Sequence, residues 1–81
     1  MHELGITEDL IKSILHTAEH HGIAGRINKV FLKLGKDSGV SDDSMKFWFE
    51  TSKQGTELEN TELEISSVEG REITVDTLEA E

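Results

Sequence analysis

The chain has 81 residues, 35% of them apolar, 31% charged, and a formal net charge of -9. That length makes one small domain with a modest core, and a chain with no Cys excludes disulfides, thiolate catalysis and cysteine-ligated zinc or iron–sulfur sites. The acidic balance excludes nucleic acid, because phosphate binding needs a basic face, and no apolar run reaches the roughly 20 residues of a membrane span. A soluble, cytoplasmic protein with no signal peptide is the expectation.

In chain order, the spacing predicts a first helix over about residues 7–21. Thr7 reads as its N-cap, with Glu8 and Asp9 in the first turn. Leu10, Ile11, Ile14, Leu15 and Ala18 recur at helical spacing and make one apolar stripe. Gly22 is the expected C′ residue. Residues 1–4 could add a short strand before this helix. Arg26 to Leu34 reads as a strand in which Val30, Leu32 and Leu34 face the core, alternating with Lys29, Phe31 and Lys33. Phe31 is expected to lie among the lysine stems or to meet a partner.

Ser41 is expected to cap a second helix over about residues 42–53, with Asp42 and Asp43 as helix N-terminal charges. Val40 and Met45 have the spacing of a hydrophobic staple, and Gly55 marks the stop. Met45, Trp48 and Phe49 share one face, and Trp48 and Phe49 are expected to bury against Leu32 and Leu34. Two strand-like runs follow, Leu63 with Ile65 and Ile73 with Val75. If they form a hairpin, opposed residues share a face. A three-residue loop, Val68-Glu69-Gly70, then pairs Ile65 with Ile73 and Leu63 with Val75, and places Gly70 where a left-handed residue is needed. Nothing in the chain reads as a nucleophile elbow or a glycine-rich phosphate loop, so catalysis is not expected.

The charge is lopsided. Residues 57–81 hold nine acids and one base, Arg71, whereas residues 1–56 hold eight acids and seven bases. A solvated sheet face and tail account for this; a docking surface for a basic partner is the functional alternative.

The most pointed chemistry lies at Met1-His2-Glu3. The α-amine, the next backbone amide nitrogen and the His2 imidazole form fused five- and six-membered chelate rings around one ion. Nickel(II) and copper(II) favour such planar nitrogen sets. The Glu3 amide or carboxylate can fill a fourth position. The alternative is a terminus whose histidine does nothing. His16 and His20, at i and i+4 on the polar side of the first helix, form a weaker candidate pair. Two solvated side chains near a helix C-terminus are the simpler account of them, and His21 is expected to cover the apolar edge.

The order of segments is specific in combination. Met1-His2-Glu3-Leu4 opens the chain; Val30-Phe31-Leu32-Lys33-Leu34-Gly35, Ser38-Gly39-Val40, Phe47-Trp48-Phe49-Glu50, Gly55-Thr56, Leu63-Glu64-Ile65, Gly70-Arg71-Glu72-Ile73 and Leu78-Glu79 follow. This series resembles the HypA/HybF hydrogenase nickel-incorporation proteins over nearly the whole chain. The resemblance implies an α/β fold, two helices packed on one face of a small three-stranded sheet, as a single domain over residues 1–81. It also implies a nickel site at Met1 and His2, with Glu3 at the neighbouring motif position. The implied partners are a HypB-like GTPase and a hydrogenase large subunit.

Two departures stand out. The family carries a zinc domain with two CxxC-type motifs between the last two strands; here a turn near residues 68–70 replaces it, so no zinc is expected. A natural zinc-less paralogue and a chain from which that domain has been cut both fit. The family's acidic residue after the strand glycine is Lys36 here, followed by Asp37. The expected function is thus a nickel-binding accessory protein for maturation of a nickel enzyme such as [NiFe] hydrogenase. The alternative is an interaction module that kept the fold without delivering metal, docking through the acidic strands or the Phe31 face.

Overall fold

A computed structural model describes the backbone of residues 2–81 and the side chains of residues 5–81. Its elements are α1 (His2–His20), β1 (Ile27–Gly35), α2 (Asp42–Ser52), β2 (Glu62–Val68) and β3 (Ile73–Ala80).

Helix α1 begins five residues earlier than its sequence signals suggest, and helix rather than strand occupies residues 2–4. Thr7 is no cap. It is fully buried, with its hydroxyl donating to the Met45 sulfur at 3.8 Å. Ile6 explains the extension: it joins the core one turn before Leu10, so tertiary packing carries the helix past its local start signal. The far end follows expectation. Gly22 has φ 72°, its N–H donates to Glu19, and the Ile23 N–H donates to Ala18, which together make a Schellman motif. The hydrophobic contact of that motif is present, because Ile23 packs on the cluster containing Ala18. His21 is exposed and covers no core; it meets His20 edge-on at 5.4 Å.

Helix α2 starts as expected. The Ser41 hydroxyl accepts from the Ser44 N–H at 3.1 Å, and Val40 packs on the cluster that holds Met45. Its inward face is Met45 and Phe49, both fully buried. Trp48 departs from expectation: it is half-buried, and it stacks edge-on against Phe47, which is 60% exposed, at 5.0 Å. One residue of helix rotation is about 100°, which carries Trp48 to the rim while Met45 and Phe49 point inward.

The sheet has the order β2-β1-β3, with β1 parallel to β2 and antiparallel to β3. The expected hairpin is therefore absent. Leu32 lies between Ile65 and Val75, Val30 between Leu63 and Leu78, and Leu34 faces Ile73. Leu63, Ile65, Ile73 and Val75 share one face as expected, but each pairs with β1 and not with the other strand. Placing β1 at the centre covers the most apolar strand on both sides, and α2 supplies the crossover that a parallel pair requires. The connection from β2 to β3 crosses the end of β1, a span of about two strand spacings, ~10 Å. Three backbone bonds of 2.8–2.9 Å fix it there: Lys36 N–H to Val68, Asp37 N–H to Gly70 and Gly35 N–H to Glu72. The approach is close enough that a Cβ at Gly35 would run into the Gly70 carbonyl and lie 2.8 Å from that of Glu72. Gly70 has φ 105°, as its place in the turn demands.

Two bulges keep the inward face apolar. Register shifts between Ile27 and Lys29 on β1, and opposite Phe31–Leu32 on β3, correct the parity. Ile27 then turns inward together with Val30, and Leu78 together with Val75. Both helices cover this face. Phe49 packs with Ile11, Ile14, Ala18, Ile27, Val30 and Leu58, whereas Met45 packs with Leu32 and Leu34. The other face is wet: Lys29 lies 3.9 and 3.8 Å from Glu62 and Glu64, Lys33 lies 3.8 Å from Asp76, and the Lys29 ammonium sits 5.6 Å above the Phe31 ring.

Candidate metal centre at the N-terminus

The proposed chelate residues Met1, His2 and Glu3 lie outside the described residues, except for the backbone of His2 and Glu3, which opens α1. That backbone position bears on the chemistry. N–H groups in the first turn of a helix have no intrahelical acceptor, so a metal can displace the His2 amide proton without breaking a helix hydrogen bond. Helix dipoles place positive charge at such a terminus, which opposes a cation; a deprotonated amide nitrogen reverses that local balance.

The helix N-terminus has a defined address. Ile6 and Leu10 pack with Leu32, Leu34 and Ile73, whereas Ala18 packs with Ile27 and Val30. Helix α1 therefore runs against the direction of β1 and begins at the end of the sheet where β1 stops. Gly35, Lys36, Asp37 and the β2–β3 connection occupy that same end. Lys36, at the position of the family's acidic residue after the strand glycine, has its ammonium 3.1 Å from the Glu69 carboxylate, both side chains exposed.

The second candidate pair gains no further ligand from the fold. His16 and His20 are exposed on α1, and among the described residues no three His, Cys, Asp or Glu side chains converge to hold a metal. Asp42 and Asp43 are exposed in the first turn of α2, as helix N-terminal charges. A cleft of about 220 Å³ lies between Ser13, Ile14 and Thr17 of α1 and Val75–Leu78 of β3, and one of about 290 Å³ lies between α1 and Ser52 and Thr56. Neither is lined by a histidine, so neither pairs a nucleophile with an imidazole base. No local sequence signal marks the buried Lys53, whose ammonium donates to the Thr61 carbonyl at 2.7 Å and meets Glu50 at 3.0 Å. This contact ties the end of α2 to the start of β2. No helix among the described residues is long and apolar enough to cross a membrane.

Known proteins share both sequence and fold. The family described as "Hydrogenase/urease nickel incorporation, metallochaperone, hypA" matches residues 1–78. A hydrogenase maturation factor HypA of Nostoc sp. is 34% identical over 70 residues, covering 86% of this chain and 58% of the relative. That of Rippkaea orientalis is 41% identical over 71 residues, covering 88% and 59%. The chain thus spans somewhat under three-fifths of the length of these curated relatives. Among solved structures, the solution structure of a HypA protein superposes with a TM-score of 0.78 at 17% identity, covering 99% of this chain and 96% of that one. The solution structure of the Ni metallochaperone HypA from Helicobacter pylori gives 0.75 at 14% identity, covering 96% of each. The fold matches these structures, the sequence matches the family from its first residue to Leu78, and the chain belongs to the HypA family.

Proposed function

We propose that the chain is a nickel-binding accessory domain that hands the metal to a maturing nickel enzyme, such as a [NiFe] hydrogenase, without catalytic turnover. The observation that carries this reading is the family match over residues 1–78, which includes the terminal chelate residues. Nickel is cargo here. The Met1 amine, the His2 amide nitrogen and the His2 imidazole bind it in a plane, and Glu3 completes or flanks that plane. The start of α1 at His2 supports the assignment, because the amide that must lose its proton has no helical partner. The family's printed role implies contact with the maturation machinery; a HypB-like GTPase and the hydrogenase large subunit are the partners proposed. No zinc role is part of this reading: the chain has no Cys to ligate one, and a short turn connects β2 and β3.

Nickel titration of the untagged protein with a native N-terminus tests the site. One nickel(II) binds as a yellow, low-spin planar complex. Binding weakens steeply as pH falls below neutrality, since amine, amide and imidazole must all be free of their competing protons. His2→Ala, or a tag that extends the terminus, abolishes binding and leaves the thermal unfolding curve in place. Equal nickel affinity in the tagged or His2→Ala protein would rule out the terminal chelate. The His16–His20 pair, indifferent to the terminus, would then be the site to test, and an interaction module would be the better reading of the chain.

A further inference from the structure

The sheet has two edges, and they differ. On β3 the edge is broken by the bulge at Asp76, a device that twists a strand away from further pairing. On β2 there is no such break: all seven residues, Glu62–Val68, run in continuous register with β1. No residue of β2 is buried, although it carries Leu63, Ile65 and Val68. Among the described residues its backbone bonds go to β1 and, at Val68, to Lys36. A row of amide and carbonyl groups on the outer side is therefore open. An uncovered, unbulged edge of this length is a template for another strand.

The side chains say which strand fits. Glu62 and Glu64 project on the wet face and share one base, Lys29, at 3.9 and 3.8 Å. Glu57 and Glu59 stand exposed just before the strand. A second β2 laid against this edge would set glutamates against glutamates in a chain of net charge -9, and like charges opposed across strands are destabilising. Self-pairing is thereby disfavoured. On the inner face the partly buried Leu63 and Ile65 leave apolar surface at the rim. The occupant that satisfies both faces is an extended segment alternating basic and apolar residues, with the basic side chains over Glu62 and Glu64 and the apolar ones beside Leu63 and Ile65.

We infer that the β2 edge is a docking site for such a basic, alternating segment of a partner protein, bound by strand addition. The inference is independent of the nickel reading, and its test uses metal-free protein. The probe is a capped seven-residue peptide alternating lysine with valine and isoleucine, compared with a peptide of the same composition whose lysines are contiguous. Amide hydrogen exchange, followed by NMR, slows at every second residue of Glu62–Val68 with the alternating peptide only. Affinity falls as salt rises. The double change Glu62→Lys with Glu64→Lys, at exposed positions, weakens binding by about tenfold or more, whereas Glu79→Lys on β3 leaves it unchanged. Protection confined to β3 or to the helices, equal binding of both peptides, or indifference to the double change would overturn the proposal. So would concentration-dependent protection of β2 without peptide, which would make the occupant a second copy.

Discussion

Phe49 and Trp48 are adjacent in sequence and differ in what they hold together. Phe49 is fully buried in the cluster of Ile11, Ile14, Ala18, Ile27, Val30 and Leu58, where it joins α2 to α1 and to the centre of the sheet. Trp48 is half-buried and leans on the exposed Phe47. Removing a buried aromatic ring loses its transfer free energy and leaves a cavity, about 3–5 kcal/mol in all. Removing a half-buried ring at the rim loses only part of the transfer term and opens no closed void. Phe49→Ala is accordingly expected to lower stability by ~3–5 kcal/mol and Trp48→Ala by about 1 kcal/mol, within the range of ordinary point changes. Urea unfolding followed by circular dichroism, which does not depend on the tryptophan signal, checks the order. A Trp48→Ala loss equal to that of Phe49→Ala would contradict the packing.

At the scale of elements, a polar contact ties the end of α2 to the sheet in addition to the apolar packing of Met45 and Phe49. Lys53, 5% exposed, donates to the Thr61 carbonyl, and the Thr61 hydroxyl donates to the Ile27 carbonyl at 2.7 Å, so the end of α2 is bonded through one residue to the starts of β2 and β1. Lys53→Met keeps the length of the stem but leaves the Thr61 carbonyl without its charged donor, and is expected to cost about 1–3 kcal/mol. Lys46→Met on the exposed side of the same helix is the comparison and changes little, as a surface substitution away from such contacts. Parallel chemical denaturation of the two variants measures the difference. Signals that act over a few residues were legible in the sequence: the Ser41 cap, the Gly22 stop, and the alternation of Val30, Leu32 and Leu34. Contacts set by tertiary placement were not. The earlier start of α1 depends on Ile6 reaching the core, Leu58 is fully buried although it sits alone between two glutamates, and the partner of β3 depends on β1 occupying the middle of the sheet. The proposed terminal chelate rests on consecutive donors in the sequence, while the placement of the start of α1 beside the end of β1 follows only from the antiparallel run of α1 over that strand.

For the molecule as a whole, charge and core compete. The chain carries -9 on a two-cluster core, and its described attractive pairs are mostly long and exposed. The sheet-face contacts of Lys29 and Lys33 are 3.8–3.9 Å, and the Lys36–Glu69 pair is tighter but fully at the surface. Exposed pairs of this kind contribute about 0–1 kcal/mol each and are screened by salt. The excess negative charge acts in the opposite sense. It repels itself in the compact state more than in the expanded chain, and raising ionic strength from ~0.01 to ~1 M shortens the screening length from about 30 to 3 Å. Because few strong pairs offset the excess, relief of repulsion outweighs the loss of attraction. Sodium chloride is therefore expected to raise the melting temperature by several degrees, since about 1 kcal/mol moves the Tm of a domain this size by ~4–8 °C. Calorimetry across that salt range on metal-free protein measures it. A Tm that falls with salt would show that the sheet-face pairs hold more stability than their distances suggest. In that case the glutamates of β2 would already be engaged with Lys29 rather than open to a basic strand.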